Sequence, residues 1–168
     1  MGIQLNRTTD YALRILVYLG QNNRFVPSSE MANNMKISQR YLLSIAKKLK
    51  EHGYIKAGLG SDGGYVLAKA LYQITMYDVV VLMEGSIIIS RCLTFANHCE
   101  GHPCVLHAAY SFLQSILENY LHNLTVDMLV NHPKDNWQGM LMDGLNEMQK
   151  GYKHKDKVIR PSMVKVAN

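Results

Sequence analysis

The chain lacks the usual ingredients of a catalytic centre. Its 168 residues contain no paired carboxylates, no nucleophile–base motif and no glycine-rich loop set between a strand and a helix to hold phosphate, so an enzyme is not expected. Long apolar runs are missing too. The longest, such as Val79–Met83 and Ile87–Ile89, are far too short to span a bilayer, and Met1–Arg7 has no signal-peptide core. A cytoplasmic protein with no membrane partner is therefore expected. Cysteine is scarce: Cys92, Cys99 and Cys104 are all there is, an odd number that cannot complete a disulfide framework. No internal repeat is visible.

What is present suffices for a core. A hydrophobic content of 48% suits one domain, or a small domain with an extension, and the net charge of +5 favours an anionic partner such as nucleic acid. The stretch Pro27–Ala68 organises the rest. A helical pattern over Ser28–Asn34 turns at Met35-Lys36-Ile37, resumes over Ser38–His52 and closes on Tyr54–Ala57 and Tyr65–Ala68, two short strands joined by a glycine-rich loop. In the second helix Leu42, Ile45, Ala46 and Leu49 form one apolar stripe. Gln39, Arg40, Ser44, Lys47, Lys48 and Lys50 lie opposite, with groups that donate to base edges or phosphates. Ser38 suits the N-cap and Gly53 the stop. An amphipathic helix with a solvated charged face, followed by an ordinary hairpin, would leave the same pattern. The order of helix, turn, helix and ribbon favours a winged helix-turn-helix.

Before this unit, Thr8–Gly20 reads as a helix with Thr9 as cap and Asp10 in its first turn. After it, Thr75 caps a short helix Met76–Glu84 that stops at Gly85. Ser86–Pro103 reads as a loop. From Val105 to Asn123, Leu106, Ala109, Leu113, Ile116, Leu117 and Tyr120 keep helical spacing over five turns, which is more economically a dimerisation helix than a second core. A short helix near Thr125 follows, then a possible helix through Trp137, Met140, Leu141, Leu145 and Met148, and a basic tail expected to be mobile. The fold class is thus mainly α with a small β wing. The divisions are a DNA-binding domain over 1–85, a cysteine-bearing loop over 86–104, a dimerisation helix with its short successor over 105–131, and a partly mobile extension over 132–168.

Spacings of six and four residues between the cysteines do not match a Cys-x-x-Cys zinc knuckle. Thiolates spread along a loop suit a larger soft object, an iron–sulfur cluster, which usually asks for four ligands. The fourth would be His107, one helical turn past Cys104, or Asp10 from the same or the partner chain; His98 and His102 are nearer but have no geometric argument. Asp10 alternatively complements its helix dipole, His107 is alternatively a plain helix histidine, and the cysteines are alternatively free thiols. With His107 they also compose a tetrahedral zinc set, as in a zinc-stabilised interaction module.

The joint pattern Thr9-Asp10-Tyr11-Ala12-Leu13, Ile37-Ser38-Gln39-Arg40-Tyr41-Leu42, Gly53-Tyr54-Ile55, Gly63-Gly64-Tyr65, Thr75-x-x-Asp78 and Glu84-Gly85 resembles the Rrf2 family of bacterial transcription regulators over roughly residues 1–131. The resemblance implies a homodimer of winged-helix domains on a pseudo-palindromic operator in double-stranded DNA. Ser28, Ser38, Gln39, Arg40, Tyr41 and Ser44 would then enter or border the major groove, with Arg7, Lys47, Lys48 and Lys56 at phosphates. It also implies an iron–sulfur cluster on Cys92, Cys99 and Cys104, 2Fe–2S rather than 4Fe–4S, controlling repression in response to iron–sulfur status, nitric oxide or redox. Members of the IscR type use a histidine three residues after the last cysteine, as His107 stands; members of the NsrR type use an aspartate in the first helix, as Asp10 stands. Other members lack a cluster and sense cysteine metabolism through thiols or a protein partner. Leu59 stands where many members carry a wing arginine, which leaves phosphate contact there to Lys56 and backbone amides.

Overall fold

The computed structural model describes residues 4–58, 63–94, 104–131, 152–154 and 157–159. Helix α1 runs Arg7–Asn22. It starts one residue earlier than expected, because Asn6 rather than Thr9 is the cap: its Oδ1 accepts the Thr9 amide at 2.8 Å. Thr9 is instead fully buried, its hydroxyl 2.7 Å from Glu84 Oε1 at the end of another helix. Nor does Gly20 end α1. A Cβ there would stand 2.8 Å from Leu71 Cδ2 and 3.0 Å from Val130 Cγ2, so glycine is needed for packing, and the helix stops at Asn23 in the left-handed region with φ 44°.

Helix α2, Ser28–Met35, ends on left-handed Lys36, φ 54°, and the turn is closed by Ile37 N–H donating to Ala32 C=O at 3.0 Å. Helix α3, Gln39–Glu51, is capped by Ser38, whose Oγ accepts from the Tyr41 amide. Gly53, φ 72°, lets the chain reverse so that Tyr54 N–H reaches Leu49 C=O at 2.9 Å. The wing is the antiparallel pair β1, Ile55–Gly58, and β2, Gly64–Leu67, in register from Ile55↔Leu67 to Gly58↔Gly64. Val26 adds a bridge to Tyr65 through two bonds of 2.9 Å, which ties the wing to the residue before Pro27 and α2.

Helix α4, Met76–Glu84, opens with a reciprocal cap: Thr75 Oγ1 accepts from the Asp78 amide at 3.1 Å while the Thr75 amide donates to Asp78 Oδ2 at 3.0 Å. Helix α5 is Val105–Asn123 and α6 is Val126–Asn131. One core unites α1 to α4, β1 and α6: Ile15, Leu16 and Leu19, Met31, Leu42, Ile45 and Leu49, Ile55, Val79 and Val126 are at most 1% exposed. Each such burial stabilises by ~1.5–3 kcal/mol.

The residues up to Asn131 and those from His132 onward form separate units. In the second, β3, Tyr152–His154, and β4, Lys157–Ile159, pair antiparallel inside the basic tail, where no strands were expected. The stretch from Trp137 to Met148 lies outside the described residues.

Candidate functional site

Helix α3 is pinned by Leu42, Ile45, Ala46 and Leu49, all buried, which leaves Gln39, Arg40, Leu43, Ser44, Lys47 and Lys48 on the exposed side. These side chains are not equally available. Gln39 Nε2 donates to Ser28 Oγ at 2.8 Å, joining the starts of α2 and α3. Ser44 Oγ donates back to the Tyr41 carbonyl at 2.7 Å, so its oxygen remains only as an acceptor. Tyr41 faces α1: its hydroxyl is 3.1 Å from Thr8 Oγ1 and its ring meets Tyr11 edge-on, centroids 5.9 Å apart. It braces the helix-turn-helix first, and its oxygen is what remains for a partner. Lys47 Nζ lies 3.8 Å from Glu51 in an exposed pair of little energetic weight. Arg7, at the start of α1, and Lys56, in β1, are exposed; Leu59 lies outside the described residues.

The start of α2 is held from behind. Glu30 Oε1 accepts from Arg24 Nη2 at 2.6 Å and from Tyr18 OH at 2.9 Å. The Arg24 bond, then the Tyr18 bond, keep the Glu30 carboxyl below its ordinary range, while the bond to Glu30 pushes the Tyr18 phenol up. None of this was visible in the sequence, where Arg24 sits in a polar loop without periodicity.

Cys92 lies in a 3-10 turn, Arg91–Leu93, half-buried, with Sγ 3.2 Å from Ser90 Oγ. Cys104, also half-buried, is the N-cap residue of α5, and His107 is exposed one turn on. Cys99, His98 and His102 lie outside the described residues. Asp10 is exposed in the first turn of α1 and accepts from Arg14 Nε at 2.8 Å, a partner that was not expected. Among the described residues no group of three or more His, Cys, Asp or Glu is gathered for a metal, so Cys92, Cys104 and His107 do not converge on one point in this structure. One residue here was missed. Gln114, in the middle of α5, accepts from Ile89 N–H at 3.1 Å and donates to Ile87 C=O, clamping the approach to Cys92 onto the long helix. Its partners lie more than twenty residues earlier in the chain, so no local signal marks it.

Comparison with known proteins decides the family. Residues 5–132 match Rrf2, described as an iron-dependent transcriptional regulator. The chain belongs to the Rrf2 family. The transcriptional regulator IscR of Cronobacter sakazakii is 28% identical over 124 residues, 73% of this chain and 76% of that protein. Among solved structures, CymR (YrzC), the global cysteine regulator of B. subtilis, superposes with a TM-score of 0.70 at 20% identity, over 79% of this chain and all of CymR. IscR of T. potens gives 0.60 at 21% identity, over 91% and 96%. At these identities the structures speak for the winged-helix fold alone. A short match to GrpE over residues 145–168 covers too little to define a family. This Rrf2 chain is therefore a transcriptional regulator rather than an enzyme, and no helix among its described residues is long and apolar enough to cross a membrane.

Proposed function

We propose that this Rrf2 regulator binds a pseudo-palindromic DNA operator as a homodimer, and that an iron–sulfur cluster on Cys92, Cys99 and Cys104 sets its affinity. The observation that carries the reading is the placement of the thiols. Cys92 and Cys104 are half-buried at the two ends of one segment, Cys104 at the mouth of α5 and Cys92 just past the stretch that Gln114 ties to α5. Such a soft donor set fits iron–sulfur chemistry. The fourth ligand proposed is His107, one turn from Cys104, or Asp10, whose exposed bond to Arg14 is cheap to exchange. Four such donors suit either cluster type, and of the two 2Fe–2S is the one proposed. When bound, the cluster supplies a cross-link sensitive to oxidation and nitric oxide.

The residues of the chain then carry the signal. Gln114 couples the segment to α5, and α5 is fixed to the DNA-binding domain by Met76 N–H to Leu124 C=O at 2.7 Å and Val126 N–H to Ile74 C=O at 2.9 Å. A two-state segment biased by ~1–3 kcal/mol changes operator occupancy by about 5- to 150-fold. The exposed Val105, Leu106, Phe112 and Leu113 of α5 offer the apolar surface for a second copy.

The test is an absorption spectrum with iron and sulfide assays on protein purified without oxygen, beside operator binding by wild type and Cys99→Ala. Iron and sulfide in step, with a visible charge-transfer band lost in the variant together with the response, is the expected result. The second reading is a cluster-free regulator of the same family, sensing through thiols or a protein partner. Colourless, iron-free protein that still binds the operator would establish that reading instead, and stoichiometric zinc without operator binding would support the interaction module.

A further inference from the structure

Gln39 opens α3 with its carboxamide already held by Ser28, through the 2.8 Å bond from Nε2 to Ser28 Oγ. One of its two amide protons is used there, while the other proton and Oε1 remain on an exposed side chain. A donor beside an acceptor in one plane is the complement of the major-groove edge of adenine, where N7 accepts and the N6 amino group donates. Next on the same ridge, four residues on, stands Leu43. It is 40% exposed, whereas the buried side of α3 is already filled by Leu42, Ile45, Ala46 and Leu49. It stands on the same exposed face as Gln39, Arg40, Ser44 and Lys47, within reach of whatever that face docks on. The major groove offers it one apolar group, the thymine C5-methyl. Neighbours at this helical spacing are ~5–6 Å apart, which places the two side chains over adjacent or next-adjacent base pairs.

We infer that Gln39, positioned by Ser28, and Leu43 read an A·T-rich step in each operator half-site, Gln39 by paired hydrogen bonds to an adenine and Leu43 by contact with a thymine methyl. This rests on the DNA-binding reading above and adds which bases are read. Ser28 acts through Gln39: by accepting its amide proton it fixes the carboxamide plane and keeps its own hydroxyl proton for a phosphate oxygen. Arg40 and Lys47 contribute charge that is indifferent to sequence.

The experiment selects duplexes from a random pool with the full-length protein, then measures binding to the selected site with each base pair replaced in turn, for wild type, Gln39→Ala, Ser28→Ala and Leu43→Ala. Far-ultraviolet circular dichroism confirms that each variant folds. Wild type is expected to prefer A·T by about 5- to 150-fold at one position per half-site. Gln39→Ala should lose that preference there and nowhere else, 7-deazaadenine at that position should weaken wild type but not Gln39→Ala, and Ser28→Ala should keep a reduced preference. Uracil for the contacted thymine should cost wild type about fourfold, one methyl's worth, and Leu43→Ala nothing. An unchanged base preference in Gln39→Ala, or an equal uracil effect in Leu43→Ala, overturns the inference while leaving DNA binding intact. A pool from which no duplex is retained removes the DNA-binding reading and this inference with it, whereas retention without a preferred base overturns the inference alone.

Discussion

Gly64→Ala is expected to destabilise the DNA-binding domain by about 2–4 kcal/mol, for a reason that lies wholly in packing. A Cβ at Gly64 would stand 2.4 Å from the Val26 carbonyl oxygen, 2.5 Å from its carbon and 2.9 Å from the Pro27 nitrogen. Those atoms are backbone, so no rotamer change relieves the overlap. Backing the Val26–Pro27 segment away breaks the two 2.9 Å bonds between Val26 and Tyr65. Each is worth ~0.5–1.5 kcal/mol net, and overpacking adds ~1–3 kcal/mol; the lower chain entropy of unfolded alanine returns ~0.4–1 kcal/mol. Urea unfolding followed by circular dichroism should show a midpoint lowered by about 1 M or more, given a slope of ~1–3 kcal/mol per molar. The internal control is Gly58→Ala, directly across the ladder. There the obstacle is the Phe25 ring, 2.8 Å away but 41% exposed and free to swing outward, so the cost should stay below about 1 kcal/mol. Equal losses in the two variants, or a Gly64→Ala protein as stable as wild type, would refute the steric account.

The remaining predictions concern charge, the long helix and the clamp. Because the Glu30 carboxyl is held down, its contribution is present above the ordinary carboxylate range and is lost as pH falls through the lowered value; the raised Tyr18 phenol contributes below its ordinary range and loses that as pH rises through the raised value. Stability of wild type relative to Glu30→Gln, measured across pH, should therefore be flat near neutrality and shrink at both extremes. If the dimer neutralises about six to ten phosphates, operator affinity should drop ~10³–10⁵-fold between 50 and 200 mM salt, and titrations showing a salt-independent complex would count against the interface. Leu113→Lys, at a position 48% exposed, should keep the helical circular dichroism of wild type yet shift sedimentation from dimer to monomer. Gln114→Leu, which removes the bonds to Ile87 and Ile89, should leave operator affinity in one state intact while shrinking the difference between cluster-loaded and cluster-free protein.

The local chemistry of capping made the helix-turn-helix legible. Ser38, Gly53, Thr75 and Gly85 each do in the structure what their residue types imply, and the span of α5 was readable from its apolar spacing because no glycine or proline interrupts it. The first helix misled for physical reasons. Asn6 and Thr9 are both capping residues three apart, and burial of Thr9 against Glu84 decides between them; Gly20 looks like a stop only to a reader who cannot see Leu71 and Val130. Tyr41 lies on α3 among the residues expected to meet DNA, and packing that no periodicity reveals also sets its ring edge-on to Tyr11. Leu43 was overlooked because an exposed leucine looks ordinary until the buried face is known to be complete. Gln114, Arg24 and Glu30 depend on partners distant in sequence or on irregular backbone, where patterns of three and four carry no information.

The long helix explains why these parts belong in one chain. With 19 residues α5 is about 28 Å long, and its apolar side chains do not share one environment. Leu121 is buried in the same chain, as is Leu124 just past the helix, whereas Val105 and Leu106 at the start, and Phe112 and Leu113 a few turns on, are exposed. A single core that wanted the whole helix would have buried both ends, so the two ends serve different surfaces. Cys104 marks its beginning, Gln114 grips the approach to Cys92 near its middle, and Leu124 joins Met76 at its end. Beyond that end, α6 packs on α1 where Gly20 admits Val130, and α1 meets α3 through Thr8 and Tyr41. A displacement at the cysteine segment therefore has a continuous path of packed and hydrogen-bonded groups to the helix that carries Gln39 and Arg40. Among the described residues this path is packed and hydrogen-bonded throughout, one route by which the proposed change of one or two kcal/mol at the cysteine segment reaches α3.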